Sequence, residues 1–145
     1  MPHAVMLILA DNVETAQIRA SILKHRLIAS TIVRYGPQVN RIMLPKRYSM
    51  ALIDSHYHSD AALALVRQLR SECAGPIMLL THENSVTYHL DAYAAGVDDC
   101  VVKPVSELIF LAKIAAWLRQ TPVAPSGEVS AITTGETSPS VTAGS

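Results

Sequence analysis

Apolar runs that do not alternate recur along the first hundred residues, each followed by a segment with helical spacing. Met50-Ala51-Leu52-Ile53 runs straight into Asp54 and Ser55. An unbroken apolar run of this length reads as a strand buried on both faces, as in a parallel sheet. Ala4 to Ala10 ends likewise at Asp11, Pro76 to Leu80 at Thr81, and Cys100-Val101-Val102 at Lys103-Pro104. Ile28-Ala29-Ser30-Thr31-Ile32-Val33 partly alternates, the pattern of an edge strand. Between the strands the period changes. Ile18, Ile22 and Leu23 form the buried stripe of a first helix, with Arg19, Lys24, His25 and Arg26 assigned to water and Asn12 as its N-cap. Val39, Ile42, Met43 and Leu44 predict a short helix stopped near Pro45-Lys46-Arg47. Leu63, Val66 and Leu69 mark a helix over about 61–70. A weaker helix runs from Ser85 to Ala95, closed by Gly96. A last helix, Ser106 to about Gln120, carries Leu108, Leu111, Ile114, Ala115 and Leu118. Five strand-helix alternations predict an α/β fold, a doubly wound five-stranded parallel sheet with helices on both faces.

Open sheets of this kind place their chemistry beyond the carboxyl ends of the strands. Asp11, Asp54, Thr81 and Lys103 all fall there, so two carboxylates, a hydroxyl and an ammonium converge on one edge. The 145 residues allow one domain, over 1–120. From Thr121 the chain turns to Pro, Ser, Thr, Gly and Ala, so 121–145 is expected to be a flexible tail or linker. With 50% hydrophobic but only 5% aromatic residues, the core must be aliphatic. Zero net charge removes the electrostatic footprint of direct nucleic-acid binding. Cys73 and Cys100, without CxxC spacing, read as reduced thiols. Met1-Pro2-His3 lacks the start of a signal peptide, and no apolar run approaches the ~20 residues that span a bilayer. No membrane association and a cytoplasmic location are expected. Neither a GxGxxG after the first strand nor a G-x-S-x-G elbow is present, which argues against a dinucleotide enzyme and a hydrolase.

Spacing and motif together are more specific. Gly36 lies eighteen residues before Asp54, and Thr81 twenty-two before Lys103-Pro104. The segment Ala94-Ala95-Gly96-Val97-Asp98-Asp99-Cys100-Val101-Val102-Lys103-Pro104 resembles, almost position by position, the A-x-G-A-x-D-Y-x-x-K-P segment of CheY-like receiver domains of two-component response regulators. The resemblance covers about residues 4–120 and implies the flavodoxin-like (βα)5 receiver fold. It implies Asp54 as phosphoacceptor, a carboxylate nucleophile toward a phosphohistidine or small phosphodonor. It implies Mg²⁺ held by the Asp11 and Asp54 side chains and the His56 backbone carbonyl. Lys103 would pair with a phosphoryl oxygen and the Thr81 hydroxyl would swing to another. The chain would be a signalling domain rather than an enzyme. Its implied partners are a sensor histidine kinase or histidine phosphotransfer protein, a downstream protein target, and a second copy through the fourth helix, fifth strand and fifth helix. Tyr88, Leu90, Tyr93, Phe110 and Trp117 are the candidate contacts of that surface.

The chain also departs from the family pattern. Receivers carry two adjacent acids after the first strand. Ala10-Asp11 places alanine at the first, the register preferred because it buries Ile18 and Ile22; the rival register is Asp11-Asn12. Loss of one carboxylate should weaken Mg²⁺ binding. The loop Ser55-His56-Tyr57-His58-Ser59-Asp60 has neither the proline nor the glycine usual there. His56, His58 and His82 read as exposed loop histidines rather than metal ligands; protonated His56 or His58 would be able to modulate an acyl phosphate near neutral pH. Cys100 stands in place of the family's Tyr or Phe. Three readings therefore stay open: a phosphorylation-dependent switch, a pseudo-receiver that binds proteins without phosphate, and the receiver part of a DNA-binding response regulator.

Overall fold

The strands are β1 (Val5–Ala10), β2 (Ala29–Arg34), β3 (Met50–Asp54), β4 (Ile77–Thr81) and β5 (Asp99–Val102). They form one parallel sheet in the order β2-β1-β3-β4-β5. The computed structural model describes residues 4–39, 41–72 and 75–120. The expected tail over 121–145, Cys73 and the N-terminal Met1-Pro2-His3 lie outside the described residues. Every residue of β3 and β4 is buried, as their unbroken apolar runs require, and the partly alternating β2 is an edge strand.

The helices are α1 (Val13–Lys24), α2 (Ser59–Glu72), α3 (Val86–Ala95) and α4 (Glu107–Gln120). Because successive strand residues point to opposite faces, the sheet sorts its side chains into two cores. Met6, Ile8, Met50, Leu52, Met78, Leu80 and Val101 pack with Ala16 and Leu23 of α1 and Phe110, Leu111 and Ile114 of α4. Leu7, Leu9, Ala51, Ile53, Ile77 and Leu79 pack with α2 and with Tyr88 and Ala92 of α3. The doubly wound architecture is therefore as expected, with four helices rather than five among the described residues.

The second crossover is the difference. Among the described residues of 35–49 there is no helix. Val39, Ile42 and Leu44 pack against the α2–α3 core, while Met43 is exposed. Gly36-Pro37 and Pro45 break the segment at both ends, and Gln68 of α2 holds its middle. The Ile42 amide donates to Gln68 Oε1 (2.8 Å), and Gln68 Nε2 donates to the Ile42 carbonyl (2.6 Å). A side-chain amide thus replaces the backbone partners a helix would supply.

Two further corrections concern helix faces. On α1 the buried positions are Ala16 and Leu23, with Arg19 between them at helical spacing; Ile18 is 62% exposed. On α4 Leu108 and Ala115 face outward, and Phe110, Leu111 and Ile114 are buried. Asn12 is the N-cap of α1 as expected, its Oδ1 accepting from the Thr15 amide at 3.2 Å. Gly96 ends α3 with φ +127, where a Cβ would meet the Arg70 side chain at 2.8 Å. Arg70 donates to the Gly96 carbonyl (2.9 and 2.7 Å) and pairs with Asp98 (2.7 Å), whose Oδ2 also accepts the Ile77 amide at 2.8 Å. Gly96 and Asp98, an unspecified position of the motif, thus join α2, β4 and β5, which sets where β5 delivers Lys103.

Gln68→Leu keeps the bulk but leaves the Ile42 amide and carbonyl unpaired. The expected cost is about 1–3 kcal/mol, read as a lower urea midpoint at unchanged slope.

Candidate functional site

Asp54 ends β3 on the face shared by α1 and α4, since it follows Met50 and Leu52 at period two. Ala10 is its partner in the neighbouring strand and Lys103 follows Val101 on the same face. At 1% exposure the Asp54 carboxylate has left water, and its charge must be met inside the fold. Lys103 Nζ lies 2.7 Å from Oδ1, itself almost completely buried. Arg19 Nε lies 3.2 Å from Oδ2, with the Arg19 side chain 14% exposed. The Arg19 guanidinium carbon also stands 5.1 Å from the centre of the Phe110 ring, a cation–π contact that fixes it between α4 and β3. Asp54 therefore sits between two cations.

Arg19 is the residue sequence reasoning missed, having been assigned to water. The signal was present: Ala16, Arg19 and Leu23 recur at i, i+3 and i+7, the spacing of one helical face. Ile18, the residue used to choose the Ala10-Asp11 register, lies on the opposite, exposed side.

Asp11, one residue beyond β1, is turned to the loop after β3. Its Oδ1 accepts the His56 amide at 2.8 Å, and its Oδ2 accepts the amides of Tyr57 (2.7 Å) and His58 (2.8 Å). The carboxylate thus does the work that proline and glycine do in an ordinary tight turn, fixing a loop that has neither. Asn12 adds a bond from its amide nitrogen to the Tyr57 hydroxyl (3.4 Å).

Thr81 ends β4 on the other face, with Ile77 and Leu79. It is 1% exposed, and its Oγ1 accepts the Glu83 amide at 3.0 Å. Beside it lies Tyr88, whose hydroxyl donates to the Ser59 carbonyl at 2.8 Å. Burial and then the neighbouring Cys100 push the Tyr88 phenol upward, against a hydrogen bond with the Thr81 side chain. The structure thus brings Asp54 and Lys103 together, and holds Thr81 and Asp11 on other partners at the same sheet edge.

His82 Nε2 and His56 Nδ1 are 3.3 Å apart, with the two rings edge to face. Desolvation, Lys103 and His56 hold His82 below the usual histidine range. Among the described residues no three His, Cys, Asp or Glu side chains are grouped to hold a metal ion. Of the oxygens expected to hold Mg²⁺, the carboxylate ones are engaged here: both of Asp54 by cations and both of Asp11 by loop amides, which leaves the His56 carbonyl of the expected set. With a guanidinium on Asp54 and a methyl at Ala10, this donor set does not fit a divalent cation.

Of the candidate surface residues, Leu90 and Tyr93 are exposed, Tyr88 and Phe110 are buried, and Trp117 is half-buried with its indole N–H on Asp99 (3.2 Å). Cys100 is a free thiol, half-buried, and burial followed by the charge of Asp99 pushes it up to about 11. Among the described residues no helix is long and apolar enough to cross a membrane.

Comparison with known proteins agrees with the fold. The chain is 27% identical over 110 residues to the transcriptional regulatory protein RstA of Escherichia coli (strain K12), covering 76% of this chain and 46% of that one. It spans about half the length of the curated relatives it matches. The BeF3-activated receiver domain of Klebsiella pneumoniae RstA superposes with a TM-score of 0.70 at 23% identity, over 80% of this chain and 99% of that one. A Burkholderia pseudomallei response regulator with a phosphorylated aspartic acid, a calcium ion and citrate superposes at 0.64 and 20% identity, over 81% and 69%. No protein-family model matches the chain.

Asp11→Ala removes the acceptor of three loop amides. Amide exchange at His56, Tyr57 and His58 is expected to accelerate by about tenfold or more, the loss of roughly 1.5–3 kcal/mol for a bond to a charged group, while exchange in β3 stays unchanged. In a Cys73→Ser background, alkylation of Cys100 should be slow at neutral pH and rise only as the pH nears about 11, because the neutral thiol persists to that point.

Proposed function

We propose that this chain, which has the fold of a CheY-like receiver domain and response regulators among its relatives, is a two-component signalling unit whose phosphoacceptor is Asp54. The observation that carries the reading is the buried carboxylate at the carboxyl end of the central strand, with the Lys103 ammonium 2.7 Å away. A carboxylate held this way is oriented for attack, and the same ammonium can pair with an incoming phosphoryl oxygen. In the step proposed, an Asp54 oxygen forms the new O–P bond as the P–N bond of a phosphohistidine breaks. The leaving imidazole takes up a proton and Asp54 becomes an acyl phosphate. The partner is then a sensor histidine kinase or histidine phosphotransfer protein.

The output follows from charge. A phosphoryl group adds negative charge and acceptor oxygens at a sheet edge where Thr81 is bonded to the backbone two residues on. Turning the Thr81 hydroxyl toward those oxygens gives up its bonds to Glu83 and Tyr88, and so changes what fixes the start of α3. The exposed Leu90 and Tyr93 on α3 and Leu108 and Ile109 on α4 then form the surface whose protein contacts would change, including contacts with a second copy. The regulatory names of the relatives support an output in gene control.

A second reading is favoured by one observation. Both Asp54 oxygens already have cationic partners, so the resting site lacks nothing electrostatically. A pseudo-receiver that signals through binding alone would have this geometry.

Incubation with phosphoramidate or acetyl phosphate separates the two. Intact mass should rise by one phosphoryl group in the wild type and not in Asp54→Asn, and Lys103→Met should slow the gain by about tenfold or more, a loss of roughly 1.4 kcal/mol. No gain from small donors or from a phosphohistidine protein would favour the pseudo-receiver.

A further inference from the structure

The arginine that ends on Asp54 has no part in the chemistry so far described, yet it is among the least exposed charged side chains of the site. Three observations give it a purpose. First, it is built in. Arg19 lies on the buried stripe of α1 between Ala16 and Leu23, both fully buried, and its guanidinium is backed by the fully buried Phe110 ring at 5.1 Å. A residue on such a stripe is not a surface cation that has folded over. Second, it occupies the electrostatic position a metal would need. Asp54 Oδ1 is taken by Lys103, and Arg19 stands on Oδ2, the remaining oxygen. Third, the charges close. Asp11 and Asp54 supply two negative charges, and Lys103 and Arg19 two positive ones. A divalent cation would add two positive charges to a set already at zero, next to a guanidinium and an ammonium, with Ala10 offering no further oxygen.

We infer that Arg19 is the resident cation of this site, and that binding of a phosphoryl group at Asp54 is independent of divalent metal. This rests on Asp54 being the phosphoacceptor. The ion pair uses the Arg19 Nε–H; the remaining N–H donors of the guanidinium form the planar fork that suits phosphoryl oxygens. As the O–P bond forms, the Asp54 oxygen loses its charge to the phosphoryl group, and Arg19 and Lys103 transfer their bonds from carboxylate to phosphoryl oxygens. The leaving nitrogen of the donor takes up a proton from solvent as the P–N bond breaks, and no electron or further reactant is needed. Arg19 would therefore act as a positioning and charge-neutralising group. Because Phe110 lies against it, its movement would be felt in α4 as well as α1.

The test pairs metal binding with phosphoryl transfer, in wild type, Arg19→Met and Asp54→Asn. In EDTA the wild type should gain phosphoryl from phosphoramidate at a rate within about twofold of that in millimolar Mg²⁺. Arg19→Met should be inert in EDTA and regain activity with Mg²⁺. Mn²⁺ binding, followed by its electron paramagnetic resonance signal, should be at least about tenfold tighter in Arg19→Met than in wild type. If the wild type needs Mg²⁺ for transfer, or binds Mn²⁺ as tightly as Arg19→Met, the inference is overturned while Asp54 remains the acceptor. If no protein accepts phosphoryl under any condition, the reading of Asp54 fails instead, and the Mn²⁺ comparison alone then upholds or overturns Arg19 as the resident cation. Should Arg19→Met not fold, wild-type Mn²⁺ binding decides: weak or absent binding upholds the inference and tight binding ends it.

Discussion

A carboxylate taken out of water must find its compensation in the protein, and at Asp54 that need organises much of the molecule. Desolvating an ion costs several kcal/mol, recovered only where partners are close and well oriented. Lys103 comes from the far end of the sheet and Arg19 from the first helix, so the three charges join β3, β5 and α1. Phe110 adds α4 through the guanidinium. The pairing is weak evidence for stability, since buried ion pairs often do no better than apolar residues of the same volume. It is strong evidence for placement, because removing Asp54 leaves the buried Lys103 ammonium and the Arg19 guanidinium with no carboxylate between them.

The second constraint is the period of two along a strand. It puts Asp54, Ala10 and Lys103 on the α1–α4 face and Thr81 on the α2–α3 face, although all four lie at one edge. Chemistry at Asp54 and the hydroxyl expected to answer it are thus on opposite sides of the sheet at rest. Thr81 is kept there by Glu83 and Tyr88, and Tyr88 is kept by Ser59 at the start of α2. A buried tyrosine from α3 therefore stands beside Thr81, while β5 carries the small Cys100 where the family pattern has an aromatic ring.

The same economy of parts is visible at Asp11. Expected to help hold a metal, its carboxylate instead gathers three consecutive amides of the loop after β3. The missing proline and glycine of that loop and the capping carboxylate are two sides of one solution: a turn without special backbone residues needs an acceptor to hold its amides. With Ala10 in an acid's place and Arg19 against Asp54, two cations already face the one buried carboxylate of this site.

The sequence by itself determined the sheet. Four apolar runs ending in Asp11, Asp54, Thr81 and Lys103, with helical spacing between them, were enough for parallel strands and for the edge where polar groups meet, since burial of a parallel strand on both faces leaves an unmistakable run. Caps were legible too: Asn12 and Gly96 act within a few residues of where they stand. What the tertiary structure decided was everything that joins distant segments. Arg19 reads as a solvated base until α4 and β3 close around it, and the loop amides that Asp11 accepts come to it from the other side of two crossovers. A polar side chain states what it can bond, but only the fold supplies the partner, because the desolvation that makes the bond matter does not exist until the chain has packed.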